Sequence, residues 1–306
     1  MSGISTNRTN ITLPTEISAE ILAKTQEQSA IMQLARKISL PGRGLSIPVI
    51  AGDPEANWVA ETDKKPTSNP SLSTKTMTPY KLAVIVPFSD EFRRDAKALY
   101  DELVKRLPAS LGKKFDETVF NGVAPGSGFD VLSGCSAQSI STGSPARGIY
   151  KTLVAADTAV AVAGYNLDGY ALSAQARGVL LDATDTTGRP IFINTIAEGG
   201  IPRLLGQPAH YSRGVYGAGN AASGTSGQSG YVAAKDDVLG FAGDWTQARW
   251  GTVEGVQISL SDQATVTIND SAVNLWERNM FAVRAEIEVG FVAVTDAFNK
   301  ITRTHA

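Results

Sequence analysis

SDEFRRDAKALYDELVKRLPASLGKKFDETVFN, residues 89–121, reads as one long amphipathic helix. Ser89 is a suitable N-cap, and Asp90 and Glu91 suit the positive end of the helix dipole. Phe92, Ala96, Leu99, Leu103, Leu107, Leu111, Phe115 and Val119 recur three or four apart and make one apolar stripe. The remaining face carries the acids Asp90, Glu91, Asp95, Asp101, Glu102, Asp116 and Glu117 among the bases Arg93, Arg94, Lys97, Lys105, Arg106, Lys113 and Lys114. The signs cancel, so the spacing predicts a solvated or salt-bridged face rather than a binding patch. Pro108 lacks an amide hydrogen and crowds the carbonyl of Val104, which predicts a kink or break. Asn121-Gly122 ends the helix.

Upstream, residues 38–86 change character. Leu45, Ile47 and Val49 alternate as in a strand, and 74–86 reads as the returning strand. Between them, 52–73 is polar and rich in Pro, Asn, Asp and Lys. The outer part of this hairpin has few apolar side chains, mainly Trp58, Val59, Leu72 and Met77. It cannot bury a core of its own, and a lone two-stranded hairpin is marginal in water. Two readings follow: a long disordered loop, or an arm that lies on another subunit. Before the hairpin, residues 1–14 read as a flexible arm and 15–37 as helical, with Thr15 as cap and Ile17, Ile21, Ile31 and Leu34 at roughly helical spacing.

Downstream, 124–148 reads as a Gly/Ser-rich loop with short strands. An Ala/Val-rich helix follows over 149–164, then a short strand at 169–173 and a short helix at 174–182, an alternation that suggests a compact α/β domain. Residues 216–231, rich in Gly, Ala and Ser, read as a flexible surface loop. From 240 the pattern is β. Phe281, Val283, Ala285, Ile287, Val289, Phe291 and Ala293 fall on one face and Arg284, Glu286 and Glu288 on the other, as in a half-buried antiparallel strand.

The chain has 306 residues, enough for about two domains. Hydrophobic residues at 42% and charged residues at 19% exclude a wholly disordered chain. Lys+Arg 28 against Asp+Glu 30 gives a net charge of -2, which argues against a protein that grips nucleic acid mainly by neutralising phosphates. One cysteine, Cys135, excludes an internal disulfide. With only His210 and His305 beside it, neither at ligand spacing, zinc is not expected. The N-terminus has no apolar signal segment and no stretch approaches the length of a membrane span. No phosphate loop, nucleophile elbow or dinucleotide fingerprint is present. Cys135 with His210 as base is a remote nucleophile pair, and Asp182 and Asp185 read as turn residues rather than a calcium site. Trp58, Trp245, Trp250 and Trp276 are dispersed, which favours packing in a core or interface over a stacking platform. No cofactor is implied.

The order of these pieces resembles the major capsid proteins of tailed bacteriophages, the HK97-like fold. Val84-Ile85-Val86-Pro87-Phe88-Ser89-Asp90-Glu91 resembles that family's passage from extended loop into spine helix, and Phe120-Asn121-Gly122 its exit. Leu204-Leu205-Gly206-Gln207-Pro208 resembles a family strand entry, and Gly243-Asp244-Trp245 the return into the peripheral domain. Asn279-Met280-Phe281-Ala282-Val283-Arg284-Ala285-Glu286 and Asp296-Ala297-Phe298 resemble its closing signature. The resemblance implies an α+β fold with an N-terminal arm (1–37), an extended β-hairpin loop (38–86), the spine helix with the first part of the peripheral domain (87–148), an axial α/β domain (149–236), and a return that completes the peripheral sheet (237–306).

It also implies a structural protein, not an enzyme, that self-assembles into pentamers and hexamers of an icosahedral head enclosing double-stranded DNA without sequence-specific binding. Shell expansion, with the hairpin and spine helix changing their angle to the core, would follow assembly. The implied partners are other copies of the chain, a portal protein, a decoration protein and, because the chain begins almost directly at the arm, a separate scaffolding protein or none. Its place would be the virion, after assembly in the bacterial cytoplasm and with no membrane contact. Trp58, Lys64, Lys65, Arg93 and Arg94 are the candidate inter-subunit contacts. Some members crosslink a lysine to an asparagine. Lys64 or Lys65 with Asn269 or Asn274 is the corresponding guess, although no motif assigns these roles. An encapsulin-like cargo compartment is the alternative within the same fold, and a soluble Cys-dependent hydrolase the alternative outside it.

Overall fold

The computed structural model describes residues 25, 29–51, 57–59, 61, 64, 65, 67, 71–90, 96–140, 145–184, 187–189, 203–223, 231–268 and 270–305. In chain order these form α1 (Ala30–Leu34), β1 (Arg36–Ser39), β2 (Leu45–Ala51), β3 (Ser71–Met77), β4 (Tyr80–Ser89), α2 (Ala96–Asn121), β5 (Ser136–Ile140), α3 (Pro145–Val162), β6 (Gly169–Leu172) and α4 (Ala174–Leu181). Then follow β7 (Arg203–Leu204), β8 (Gln207–Tyr211), β9 (Asp237–Gly243), β10 (Ala248–Thr252), β11 (Gln257–Ser261), β12 (Thr265–Ile268), β13 (Ser271–Asn274), β14 (Met280–Ala293) and β15 (Phe298–Arg303).

The long strand β14 organises one sheet. β4 runs antiparallel along one side of it, from Met280 opposite Ser89 to Val289 opposite Tyr80. The other side is shared in succession by β11, which pairs with 282–286, and β10, which pairs with 289–293. β1 adds in parallel beyond β10. The alternation read from the sequence is what buries this sheet: Phe281, Val283, Ala285, Ile287, Val289, Phe291 and Ala293 are all buried and share a core with Leu107, Leu111, Phe115, Val119 and Phe120 of α2. Phe115 meets Phe291 and Phe129 edge-on, with centroids 6.4 Å and 6.5 Å away. Each such aromatic, once buried, contributes about 1.5–3 kcal/mol. On the other face Arg284 pairs with Glu286 at 3.3 Å and Lys81 with Glu288 at 3.4 Å. Beyond Gly290 that face is covered too, because Val292 packs with Leu40, Ile47 and Met77.

A second sheet runs β5-β15-β9-β6-β8-β7, mixing parallel and antiparallel neighbours. α3 and α4 supply Ile149, Leu153, Ala156, Ala176 and Leu180 to a separate core with Tyr170, Leu172, Leu239 and Ile301. β9 is buried at every position, as a strand flanked on both edges and covered on both faces must be.

Several expectations change. The helix expected over 15–37 ends at Leu34, and the strand Arg36–Ser39 follows; 15–24 lies outside the described residues. The reason is pairing: Arg36 to Ser39 find open partners in Arg249 to Thr252. The returning strand expected over 74–86 is two strands. Ser71–Met77 completes the hairpin, and after Thr78-Pro79 the chain joins the main sheet as Tyr80–Ser89. Ser89, the expected cap, is the last residue of this strand and pairs with Met280, beside Phe88 stacked on Phe281 at 5.6 Å; the described helix begins at Ala96, and 91–95 lie outside the described residues. The helix continues through Pro108 without the expected break. One lost backbone bond is offset there by Leu107 and Leu111, each 1% exposed, clamped into the core. The helix expected over 149–164 spans Pro145–Val162. The loop expected over 216–231 is tied back by bridges Gly217 to Val238, Asn220 to Lys235 and Ser223 to Val232.

Candidate assembly surfaces

The hairpin β2-β3 pairs antiparallel from Leu45 opposite Met77 to Ala51 opposite Ser71. Among the described residues it is the base that touches the body of the chain. Ile47 and Met77 are buried against Leu40 and Val292. Lys75 donates from Nζ to the Asp130 carboxylate at 2.8 Å and to the Ala293 carbonyl at 2.7 Å. Asp130 Oδ2 also accepts from the Ala293 amide at 3.1 Å, so three segments meet at one ion pair. Thr78 N–H donates to the Gly128 carbonyl at 2.8 Å, and Tyr80 OH to the Ser127 carbonyl at 2.7 Å. Gly44, at φ 83°, makes the turn into β2 where any side chain would run into the Met77 carbonyl.

Beyond this base the described residues are exposed. Trp58 has a relative exposure of 106%, so its indole is not packed against any of the described residues. Lys64 and Lys65 are exposed in the same segment between β2 and β3. Arg93 and Arg94 lie outside the described residues, as does Asn269. Asn274 sits in β13, where its Oδ1 accepts from the Trp276 amide at 3.2 Å. The tryptophans divide: Trp245 and Trp250 are core, while Trp276 is 72% exposed like Trp58. The outer face of α3 adds exposed Tyr150, Val154 and Val162.

Two buried carboxylates hold distant parts of the chain together. Asp116, expected on the solvated face of the long helix, is fully buried. Its Oδ1 accepts from Ser29 Oγ at 2.6 Å, and its Oδ2 from the Ala30 amide at 3.0 Å and Ser212 Oγ at 2.5 Å. Burial pushes its pKa up to about 6, against the pull of these donors. Asp237 is 3% exposed and accepts from the Gly219 amide and from His305 Nδ1, both at 2.8 Å, and from Arg303 at 3.2 Å. Burial alone would raise its pKa, but the Gly219 amide, His305 and Arg303 outweigh it and hold it at about 2. Sequence reasoning missed both, because helical and strand periodicity place them among surface charges. The one signal for Asp116 was Gly112, one turn earlier. A glycine inside a helix costs about 1 kcal/mol and often marks close approach of another backbone.

Cys135 is buried, and burial pushes its thiol up to about 12, so it is not a thiolate near neutral pH. His210 lies on β8 with its pKa lowered by burial, and no hydrogen bond joins it to Cys135. Asp182 is the C-cap residue of α4, and Asp185 lies outside the described residues. Among the described residues no group of three or more His, Cys, Asp or Glu is placed to hold a metal, and no helix is long and apolar enough to cross a membrane.

The profile of the Phage capsid family matches residues 9–302. The probable major capsid protein gp17 of Mycobacterium phage L5 is 30% identical over 310 residues, covering 96% of this chain and 90% of that protein. Among solved structures, a chain from Mycobacterium phage Bobi superposes with a TM-score of 0.69 at 21% identity, covering 100% of this chain and 96% of that one. A capsid chain of a native GTA particle gives 0.61 at 12% identity, covering 99% and 95%. These matches favour a phage shell over a cargo compartment or a hydrolase. A mixed α/β fold shared with capsid subunits and a match along nearly the whole length agree: the chain belongs to the phage capsid family, as a phage major capsid protein.

Proposed function

We propose that the chain is the repeating subunit of an HK97-like icosahedral head, built from pentamers and hexamers around double-stranded DNA. In this reading 1–37 is the arm, 38–86 the extended loop, 87–148 the spine helix with the first part of the peripheral domain, 149–236 the axial domain, and 237–306 the return and peripheral sheet. The observation that carries the reading is the hairpin. Among the described residues its anchoring contacts lie at the base, and its tryptophan is fully exposed. Covering that indole on a neighbour supplies apolar burial the isolated chain lacks. Trp58, Lys64 and Lys65, with Arg93 and Arg94, are the contacts we assign to that neighbour. A near-neutral net charge of -2 suits a wall that encloses DNA without gripping it. A separate scaffolding protein, a portal and a decoration protein complete the assembly, which forms in the host cytoplasm and ends in the virion.

The test is to express the chain alone and follow it by light scattering and negative-stain microscopy. Closed shells, tubes, or rings of five and six are the expected products, and Trp58→Ala should lower their yield without changing the fold of the unassembled subunit. A monomer at every concentration, with and without co-expressed scaffold, that is cleaved between 52 and 73 would refute the inter-subunit role of the hairpin.

A further inference from the structure

Asp116 sits where three separate pieces of chain meet. Its own helix α2 supplies the carboxylate. The arm supplies Ser29 and Ala30, and the turn after β8 supplies Ser212. Both serines do double duty. Ser29 Oγ accepts from the Met32 amide and so caps α1, while Ser212 Oγ accepts from the Gly214 amide and so caps the 3-10 turn Arg213–Val215. The helix is shaped to let both pieces come close. A Cβ on Gly112 would stand 3.3 Å from the Thr25 carbonyl, and a Cβ on Gly214 would stand 2.5 Å from Asp116 Cβ. Arm and turn are thus seated on the helix through one carboxyl group.

All the hydrogen-bond donors to that group are neutral hydroxyls and amides. On its own helix the nearest charged side chains, Lys113 and Glu117, pair with each other at 3.3 Å. Described residues 29–34 of the arm carry no titratable side chain. On the turn, Arg213 is exposed. The strand leading into it carries His210 and Tyr211, whose pKa values burial lowers and raises respectively, so both are neutral near pH 7. A charge here is buried with hydrogen bonds but, among the described residues, no counter-ion, which is the costly case.

We propose that Asp116 is a proton-operated latch: taking up a proton fixes the arm segment Ala30–Leu34 and the Arg213–Val215 turn on the long helix, and losing it loosens both. The sign follows from linkage. Seated, the carboxyl titrates at about 6; released into water it returns to its ordinary 3.8. The seated form therefore binds the proton more tightly, and seating is favoured below the lower value and weakens as pH rises through the upper one. Between about pH 4.5 and about pH 7.5 this linkage weakens seating roughly twenty- to thirtyfold.

The test is amide hydrogen exchange on the full chain, corrected for the pH dependence of the intrinsic rate. In the wild type, protection over 29–35 and 212–216 should fall roughly twenty- to thirtyfold across that range, while protection over 281–289 stays flat. Asp116→Asn, neutral at every pH, should remove the pH dependence. Ser212→Ala removes a donor that favours the charged form and should move the midpoint to higher pH; it is also the milder variant should Asp116→Asn fail to fold. A flat wild-type profile, an Asp116→Asn profile that keeps its slope, or a Ser212→Ala midpoint that stays or falls each overturns the latch.

Discussion

Met77 and Gly290 form a matched pair at the root of the hairpin, and the match has a measurable sign. Met77 is 0% exposed and closes the small core of Leu40, Ile47 and Val292. A Cβ placed on Gly290 would stand 2.9 Å from Met77 Cγ, 3.2 Å from its Sδ and 3.0 Å from Leu40 Cδ1. Met77→Ala deletes three heavy atoms from a sealed site and should cost about 2–5 kcal/mol, transfer and cavity together. Gly290→Ala instead overpacks the site and should cost about 1–3 kcal/mol, less roughly 0.5–1 kcal/mol gained by removing glycine from a strand. In the double variant the new methyl points into the space the methionine has left, and only the movable end of Leu40 still crowds it. The pair should therefore be less destabilised than the sum by about 1–2 kcal/mol. The measurement is urea unfolding of the unassembled subunit for all four members of the cycle, with slopes compared to confirm that only stability changes. Additivity within about 0.5 kcal/mol, or a double variant worse than the sum, would show that the methionine does not lie over the glycine.

Other outcomes follow from the remaining contacts. Lys75→Met should loosen the hairpin by about 1 kcal/mol, a modest figure because Lys75 and Asp130 are 37% and 32% exposed; faster proteolysis after residue 51 in the unassembled subunit is the readout, and unchanged cleavage refutes it. Cys135, with its thiol pushed up to about 12, should resist iodoacetamide in the native subunit at mildly alkaline pH and react fully once unfolded; prompt native labelling counts against its burial. Asp237 has a folded pKa of about 2, below its ordinary 3.8, so its stabilising contribution is full above the ordinary value and is lost as pH falls toward the folded one. Arg303→Gln should reduce this acid-labile contribution, seen as a shallower loss of melting temperature between those two values.

What could be read early was periodic. The apolar stripe of the long helix and the alternation from Phe281 to Ala293 were legible because burial on one face leaves a repeat in the chain; Leu107, Leu111, Phe115 and Val119 and the whole alternation are buried, while the burial of Phe92, Ala96, Leu99 and Leu103 lies outside the described residues. Boundaries were less legible where two elements share a sequence character. Residues 80–89 run as a strand up to Ser89, because β14 offers a partner at each position from Val289 to Met280, which the local sequence does not show. The hairpin's coreless outer part was also legible, since too few apolar residues cannot be repaired by any fold of that segment alone.

Tertiary structure alone decided the rest. Periodicity is a property of neighbours along the chain, whereas Asp116 is buried by residues 87 and 96 positions away, and Lys75 finds a carbonyl 218 positions away. Gly112 apart, little local marks such partners, because a carboxylate or an ammonium looks the same in sequence whether water or a distant hydroxyl completes its hydrogen bonds. The sequence by itself determined a chain of mixed helix and strand, with one long helix and a hairpin too poor in apolar residues to bury a core of its own. Which charges are surface and which hold the pieces together was settled only when the chain closed on itself, since desolvation depends on everything that packs around a group.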